Sequence, residues 1–293
     1  MPDELIIGAN GYLGQYLALA RRGEDCLLHS RAPLNRMARQ TGLPCVQEDL
    51  LQSHEILGTV APQTVYLLAR PVTQDASVLL AFLQNVQTLL RQWADGGTLR
   101  RVAFASTQLV YATPPNDAPI PTASPLEPQT PYDCHKAAME YFLSLLAHHA
   151  CGIRVEVYRL PLLAGGPPTA AQLQQQHLFN WRAAYQNGYR WSFPADPAAR
   201  TWGNSWVHVD DVVNLMVRPP TDASRFTILQ PVSGQLTYHD LDAFFQSRYP
   251  LPPAIGTVHL PKTTFFLQNN TACRSRCIAE AFPDEVLDED SPS

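Results

Sequence analysis

Tyr132 and Lys136 stand at i and i+4, so on a helix their side chains share one face. An ammonium held near a phenol favours the phenolate, which makes a tyrosine of this kind a usable general acid or base. Thr107 ends the apolar run Arg101-Val102-Ala103-Phe104-Ala105-Ser106. If that run is a strand of an open α/β sheet, Thr107 lies at the strand end where ligands bind, and its hydroxyl can hold the same substrate oxygen.

A second group of residues sits at the front of the chain. Leu5-Ile6-Ile7 suits a strand covered on both faces, and Gly8, Gly11 and Gly14 follow it at G-x-x-G-x-x-G spacing. Such glycines let the backbone turn tightly and approach a ligand, while a helix from about Gly11 to Arg22 points free N–H groups and its positive dipole end at a pyrophosphate. The expected guest is a dinucleotide. An oxidised nicotinamide would add its positive charge to that of Lys136 beside the Tyr132 phenol.

The elements that must position these groups alternate along the chain. Strands are expected at Asp25–His29, Pro44–Gln47, Thr64–Ala69, Arg101–Ser106 and Ile153–Tyr158. A long helix is expected from about Ala76 to Ala94, with Val78, Leu79, Phe82, Leu83, Val86, Leu89 and Leu90 on its apolar face, stopped by Gly96-Gly97. A second helix runs from Tyr132 to about Ala150, after a Pro-rich irregular segment, Pro114 to Pro131, of a length that implies a covering role. This order gives the fold class α/β: a doubly wound parallel Rossmann sheet with a smaller C-terminal substrate lobe. Residues 1–160 are read as the dinucleotide-binding Rossmann domain. Residues 161–293 are read mainly as the substrate-binding lobe, with elements at about 206–230 returning to the Rossmann domain.

Past Pro161 the pattern changes. A Gln-rich helix candidate precedes the aromatic stretch Phe179, Trp181, Tyr185, Tyr189, Trp191 and Phe193, which with Trp202 and Trp206 serves either the lobe core or an apolar pocket. Asp210 is expected to cap a helix after Trp206–Val209, Phe226–Leu229 to form a late strand, and Tyr238 to Tyr249 a helix. The tail from Asp284 is acidic and expected to fray.

Composition narrows the partners. The 293 residues carry a net charge of −5 with no long Lys/Arg run, which points away from nucleic acid and anionic membranes and toward a small-molecule substrate. Met1-Pro2-Asp3-Glu4 leads straight into the first strand and no 18-residue apolar run occurs, so a cytoplasmic protein is expected. The six cysteines lack C-x-x-C spacing, which fits reduced thiols. His208 near Asp210 and Asp211 reads as structural, and no metal site is expected.

Together these motifs resemble the extended branch of the short-chain dehydrogenase/reductase superfamily, NAD(P)-dependent and epimerase/dehydratase-like, over roughly Leu5 to Asp211. Gly8-Ala9-Asn10-Gly11-Tyr12-Leu13-Gly14 matches the cofactor turn, Asp49-Leu50 the pair that contacts adenine, and Leu68-Ala69 the fourth-strand motif. Asn85-Val86 matches the long-helix motif, Thr107 with Val110-Tyr111 the Ser/Thr-x-x-Val-Tyr segment, and Tyr132 with Lys136 the Tyr-x-x-x-Lys pair. The resemblance implies an enzyme in which Tyr132 exchanges the proton, Thr107 orients the oxygen, and Lys136 holds the cofactor ribose and tunes Tyr132. It also implies a homodimer through the long helices.

Three departures shape the expected function. Gln108-Leu109 replaces the Asp-Glu pair of the dehydratases and cannot move protons in that role. Leu162 and the Asn204-Ser205-Trp206 surroundings lack the usual sugar-nucleotide contacts, and Arg70 stands where a small residue is usual. The expectation is therefore an oxidoreductase interconverting a ketone and a secondary alcohol on a small, apolar or aromatic substrate. A sugar-nucleotide epimerase with transient oxidation and a non-catalytic cofactor-binding regulator are the alternatives. At the end of strand two, His29-Ser30-Arg31 replaces the acid that accepts from a ribose 2′-hydroxyl; Ser30 and Arg31 suit a 2′-phosphate instead. NADP(H) is the expected cofactor, with NAD(H) as the second choice.

Overall fold

The computed structural model describes residues 2–71, 73–113, 118–149, 152–166, 177–193, 201–220, 224–250, 252–259 and 264–282. The Gln-rich helix candidate and the acidic tail fall outside the described residues. Six strands come in the expected order: β1 (Glu4–Ile7), β2 (Cys26–Ser30), β3 (Cys45–Gln47), β4 (Thr64–Leu67), β5 (Arg101–Thr107) and β6 (Arg154–Leu160). With β10 (Phe226–Leu229) they form a seven-stranded sheet of order β10-β6-β5-β4-β1-β2-β3, every pairing parallel.

Leu5, Ile6 and Ile7 of β1 are fully buried, which is why their apolar run is continuous and does not alternate. Helices cover both faces. The helix α1 (Tyr12–Ala20) packs into one core with Ala103, Tyr158 and Val212. On the other face lie α4 (Ala76–Asp95) and α5 (Pro131–His149), with Val86, Leu89, Leu90, Met139 and Leu143 against Leu5, Val102 and Val155. Asp75 caps α4 by accepting from the Ser77 N–H, and Gly97, at φ +71°, ends it.

Two short helices between the early strands, α2 (Asn35–Thr41) and α3 (Glu55–Gly58), have no clear apolar period and escaped the sequence reading. The remaining strands are short: β7 (Leu162–Ala164), β8 (Tyr189–Ser192), β9 (Gly203–His208), β11 (Gly234–Thr237), β12 (Gly256–His259) and β13 (Thr264–Phe265). β9 pairs antiparallel with β11 and parallel with β7 and β13, while β8 pairs with β12. The helix α6 (His177–Gln186) precedes β8, α7 (Val209–Val217) follows β9, and α8 (Tyr238–Arg248) follows β11. The cap of α7 is His208, whose Nδ1 accepts from the Asp210 N–H; Asp210 itself is the second residue of the helix, within its first turn.

The aromatic stretch is mostly packing. Phe179, Tyr185, Trp191 and Trp206 are buried, and Tyr185 and Trp191 join Tyr238 and Phe245 in edge-on and tilted ring contacts. No helix among the described residues is long and apolar enough to cross a membrane.

Candidate active site

The C-terminal ends of β1, β2, β4, β5 and β6 open onto one cavity of about 820 Å³, and every residue singled out above for chemistry or cofactor contact lines it. The turn after β1 is built tightly. Gly8 has φ +98°, and a Cβ there would lie 2.6 Å from the Ala69 nitrogen; one on Gly14 would lie 2.2 Å from the Gly8 carbonyl oxygen. Only glycine fits at either place. Both Gly8 and Ala9 donate their N–H to the His29 carbonyl, and no side chain caps α1 at Gly11. The first-turn N–H groups of Tyr12, Leu13 and Gly14 are therefore open to an anion, with the helix dipole behind them. Asn10 lines the same turn.

At the β2 end His29, Ser30 and Arg31 line the cavity in succession. His29 is buried and its Nε2 faces the Glu48 carbonyl; burial holds its imidazole below its ordinary pKa and so neutral. Ser30 is buried with its Oγ accepting from the Ala32 N–H, and Arg31 is exposed at the rim. The Glu48 carboxylate, which also lines the cavity, accepts from the Ser53 hydroxyl and from the N–H groups of Ile56 and Leu57 at the start of α3. Asp49 accepts from the Leu51 N–H, and the Leu50 carbonyl accepts from Asn85 on α4, which ties this rim to the long helix.

Leu68 and Ala69 both donate to the Ile7 carbonyl, pinning the β4 end against the glycine turn. Across the cavity, α5 brings up Tyr132 and Lys136. Lys136 is buried, donates to the Ala105 carbonyl at 2.8 Å and lies 4.7 Å from the centre of the Phe104 ring. Burial, with repulsion from Arg70, pulls its ammonium down to about 7, against a small opposing pull from Glu140. Burial raises the Tyr132 phenol; Arg70 draws it back down and Asp133 raises it. Thr107 is buried, its Oγ1 accepting from the Leu109 N–H.

What holds α5 in place is a buried network that sequence reasoning missed. Arg159 of β6 pairs with Glu140 at 2.7 Å, Ser106 donates to the same carboxylate, and Arg159 also donates to the Tyr111 hydroxyl at 2.6 Å and to the Thr122 carbonyl. The helix α5 is thus fastened to β5, β6 and the Pro-rich segment. Glu140 lies one turn beyond Lys136, a spacing visible in the sequence but ambiguous without its partner.

The other wall was also missed. Leu160, Leu162, Leu163, Leu178, Trp181 and Phe265 give it an apolar face. One polar seam crosses it: Gln108 donates to Asn204 Oδ1 and Asn204 to the Tyr238 hydroxyl, both at 3.1 Å. Of the aromatic stretch, Trp181 lines the cavity.

Asp211 pairs with Arg276 at 2.7 Å and accepts from Ser233, while His208 caps α7. Among the described residues no cluster of three or more His, Cys, Asp or Glu could bind an ion.

Residues 5–223 match the family described as NAD dependent epimerase/dehydratase. Comparison with curated proteins finds no match. Among solved structures, the chain is similar to UDP-glucose 4-epimerase from Thermotoga maritima with UDP-glucose (TM-score 0.76, 17% identity, 95% of each chain covered). It is also similar to DesIV, a dTDP-glucose 4,6-dehydratase from Streptomyces venezuelae with NAD bound (0.75, 20%, covering 95% of this chain and 94% of that one). A third is MoeE5 in complex with UDP-glucuronic acid and NAD (0.74, 19%, 95% of each).

Proposed function

Because the chain belongs to the NAD-dependent epimerase/dehydratase family, we propose that it moves a hydride at a secondary-alcohol carbon, with Tyr132 as the acid/base. The observation that carries this is the convergence of Thr107, Tyr132 and Lys136 on the cavity that the glycine turn lines. The turn and the α1 N-terminus would hold the pyrophosphate, Asp49 and Leu50 the adenine, and Lys136 the nicotinamide ribose. When bound, the nicotinamide supplies a reversible hydride acceptor. Tyr132 takes the hydroxyl proton as the carbon is oxidised, and Thr107 keeps that oxygen in line. When the hydride returns, Tyr132 gives the proton back.

Family membership, neighbours solved with UDP-glucose and UDP-glucuronic acid, and a neighbour named as a dTDP-glucose 4,6-dehydratase favour a sugar nucleotide, epimerised through transient oxidation, over net reduction. Dehydration is opposed by Gln108 and Leu109, since neither an amide nor an alkyl group moves a proton to a leaving hydroxyl. The second reading, net ketone/alcohol interconversion on a smaller apolar substrate, keeps one observation in its favour. Among the described residues the wall formed by Leu160, Leu162, Leu163, Leu178, Trp181 and Phe265 offers no cation to a diphosphate.

For the cofactor we read NADP(H), on the strength of Ser30 and Arg31 at the rim and of Glu48 being spent on α3. Exposed Leu80, Tyr141 and Leu145 on α4 and α5 support a homodimer through these helices.

The test is incubation of the protein with each oxidised cofactor and either UDP-glucose, UDP-galactose, dTDP-glucose or a panel of aryl secondary alcohols. Epimerised sugar without net accumulation of reduced cofactor supports the first reading, and stoichiometric reduced cofactor supports the second. Wild-type turnover by Tyr132→Phe on whichever substrate responds would refute both.

A further inference from the structure

Arg70 has no counterpart in the motifs that define the site, yet it is the side chain laid over the catalytic tyrosine. Its Cζ sits 5.1 Å from the centre of the Tyr132 ring, closer than the Lys136 Nζ at 5.9 Å. The backbone leaves it little choice of position. Leu68 and Ala69 are fastened to Ile7, Ala69 is pressed against Gly8, and Pro71 follows with its ring buried. The guanidinium is exposed to the cavity and joins no ion pair among the described residues.

Lys136 is badly placed to act alone. Its ammonium is turned to the Ala105 carbonyl, sits under Phe104, and titrates at about 7, so it loses its charge in the range where a tyrosine base works. An arginine keeps its charge throughout that range. The groups facing the phenol are Arg70 from the β4 end, Asp133 and Lys136 from α5, and the neutral Thr107 from β5; of the charges, Arg70 and Asp133 act on it in opposite directions.

We propose that Arg70 is the standing positive charge that favours the Tyr132 phenolate, with Lys136 the lesser and pH-dependent contributor. The proposal rests on Tyr132 being the acid/base and adds a residue to that chemistry. A cation laid over the ring, 5.1 Å from its centre, and acting through partly hydrated space changes the ionisation constant by roughly three- to tenfold. Because the guanidinium is exposed, salt screens the effect.

The experiment is Cζ-labelled tyrosine NMR on the full-length protein, with the Tyr132 signal identified by its loss in Tyr132→Phe. Arg70→Ala and Arg70→Gln should each lower the Tyr132 ionisation constant by about three- to tenfold, with Arg70→Lys in between. Added salt should raise the wild-type midpoint and leave Arg70→Ala nearly still. An Arg70→Ala midpoint equal to wild type overturns the proposal, and so does an unmoved midpoint accompanied by weaker cofactor binding, which would make Arg70 a phosphate contact. Full turnover by Tyr132→Phe would sink the functional reading and leave the measured Arg70–Tyr132 coupling intact, so the two failures are distinct.

Discussion

Replacing Lys136 by methionine should make the cofactor-free protein more stable while removing its function. Methionine fills nearly the same buried volume without a charge. In the folded chain the ammonium falls from 10.5 to about 7, with burial as the main cause, and each pKa unit is about 1.4 kcal/mol of cost to the charged form. The full displacement corresponds to about 5 kcal/mol, from which about 1–2 kcal/mol is subtracted for the lost bond to the Ala105 carbonyl. A net gain of about 3–4 kcal/mol is expected near pH 6.

The sign follows from proton counts. Between about 7 and 10.5 the unfolded chain holds the Lys136 proton and the folded chain does not, so wild-type stability rises with pH through that window. The advantage of Lys136→Met is therefore largest below about pH 7 and shrinks toward zero by about pH 10. Urea unfolding of both proteins at about pH 6, 7.5 and 9 reads it directly. A difference that does not change with pH, or a variant less stable at the acid end, would refute the buried-ammonium argument.

Three further outcomes are expected. Tyr132→Phe should lower turnover by about 10²- to 10⁴-fold with cofactor affinity nearly unchanged, because the hydroxyl handles the proton and not the dinucleotide; single-turnover kinetics and calorimetry separate the two. Wild type should prefer the 2′-phosphorylated cofactor by at least about tenfold, and Arg31→Ala should erase most of that preference while leaving NAD affinity in place; equal dissociation constants in the wild type would exclude Arg31 as the reader of the phosphate. Burial alone would raise the Asp211 carboxyl, but its bonds to Arg276 and Ser233 hold it below the usual range. The stability it contributes should be present above about pH 4 and lost as pH falls further, so Asp211→Asn should cost about 3 kcal/mol at neutral pH and less in acid, as thermal or urea unfolding will show.

The amino-acid sequence by itself determined the β1 turn, the parallel order of the early strands, and which face of α5 carries Tyr132 and Lys136. Each of these is written at short range: a three-residue apolar run, three glycines, an i, i+4 pair. Backbone geometry converts such spacings into position with no help from distant residues. The bounds of α4 and α5 came within a residue or two for the same reason, since their apolar stripes repeat over five turns.

Tertiary structure decided the rest. Arg70 meets Tyr132 because β4 and α5 are brought to one cavity mouth, and Asn204, which accepts from Gln108, meets Tyr238 because β9 pairs with β11. Whether Lys136 is an ordinary ammonium or one that titrates near neutrality depends on the Phe104 ring, the Ala105 carbonyl and the exclusion of water around it. Spacing along the chain names the groups and their local direction. Their charge state and the shape of the wall they face are set by desolvation and long-range packing, which arise only once the strands and helices are assembled.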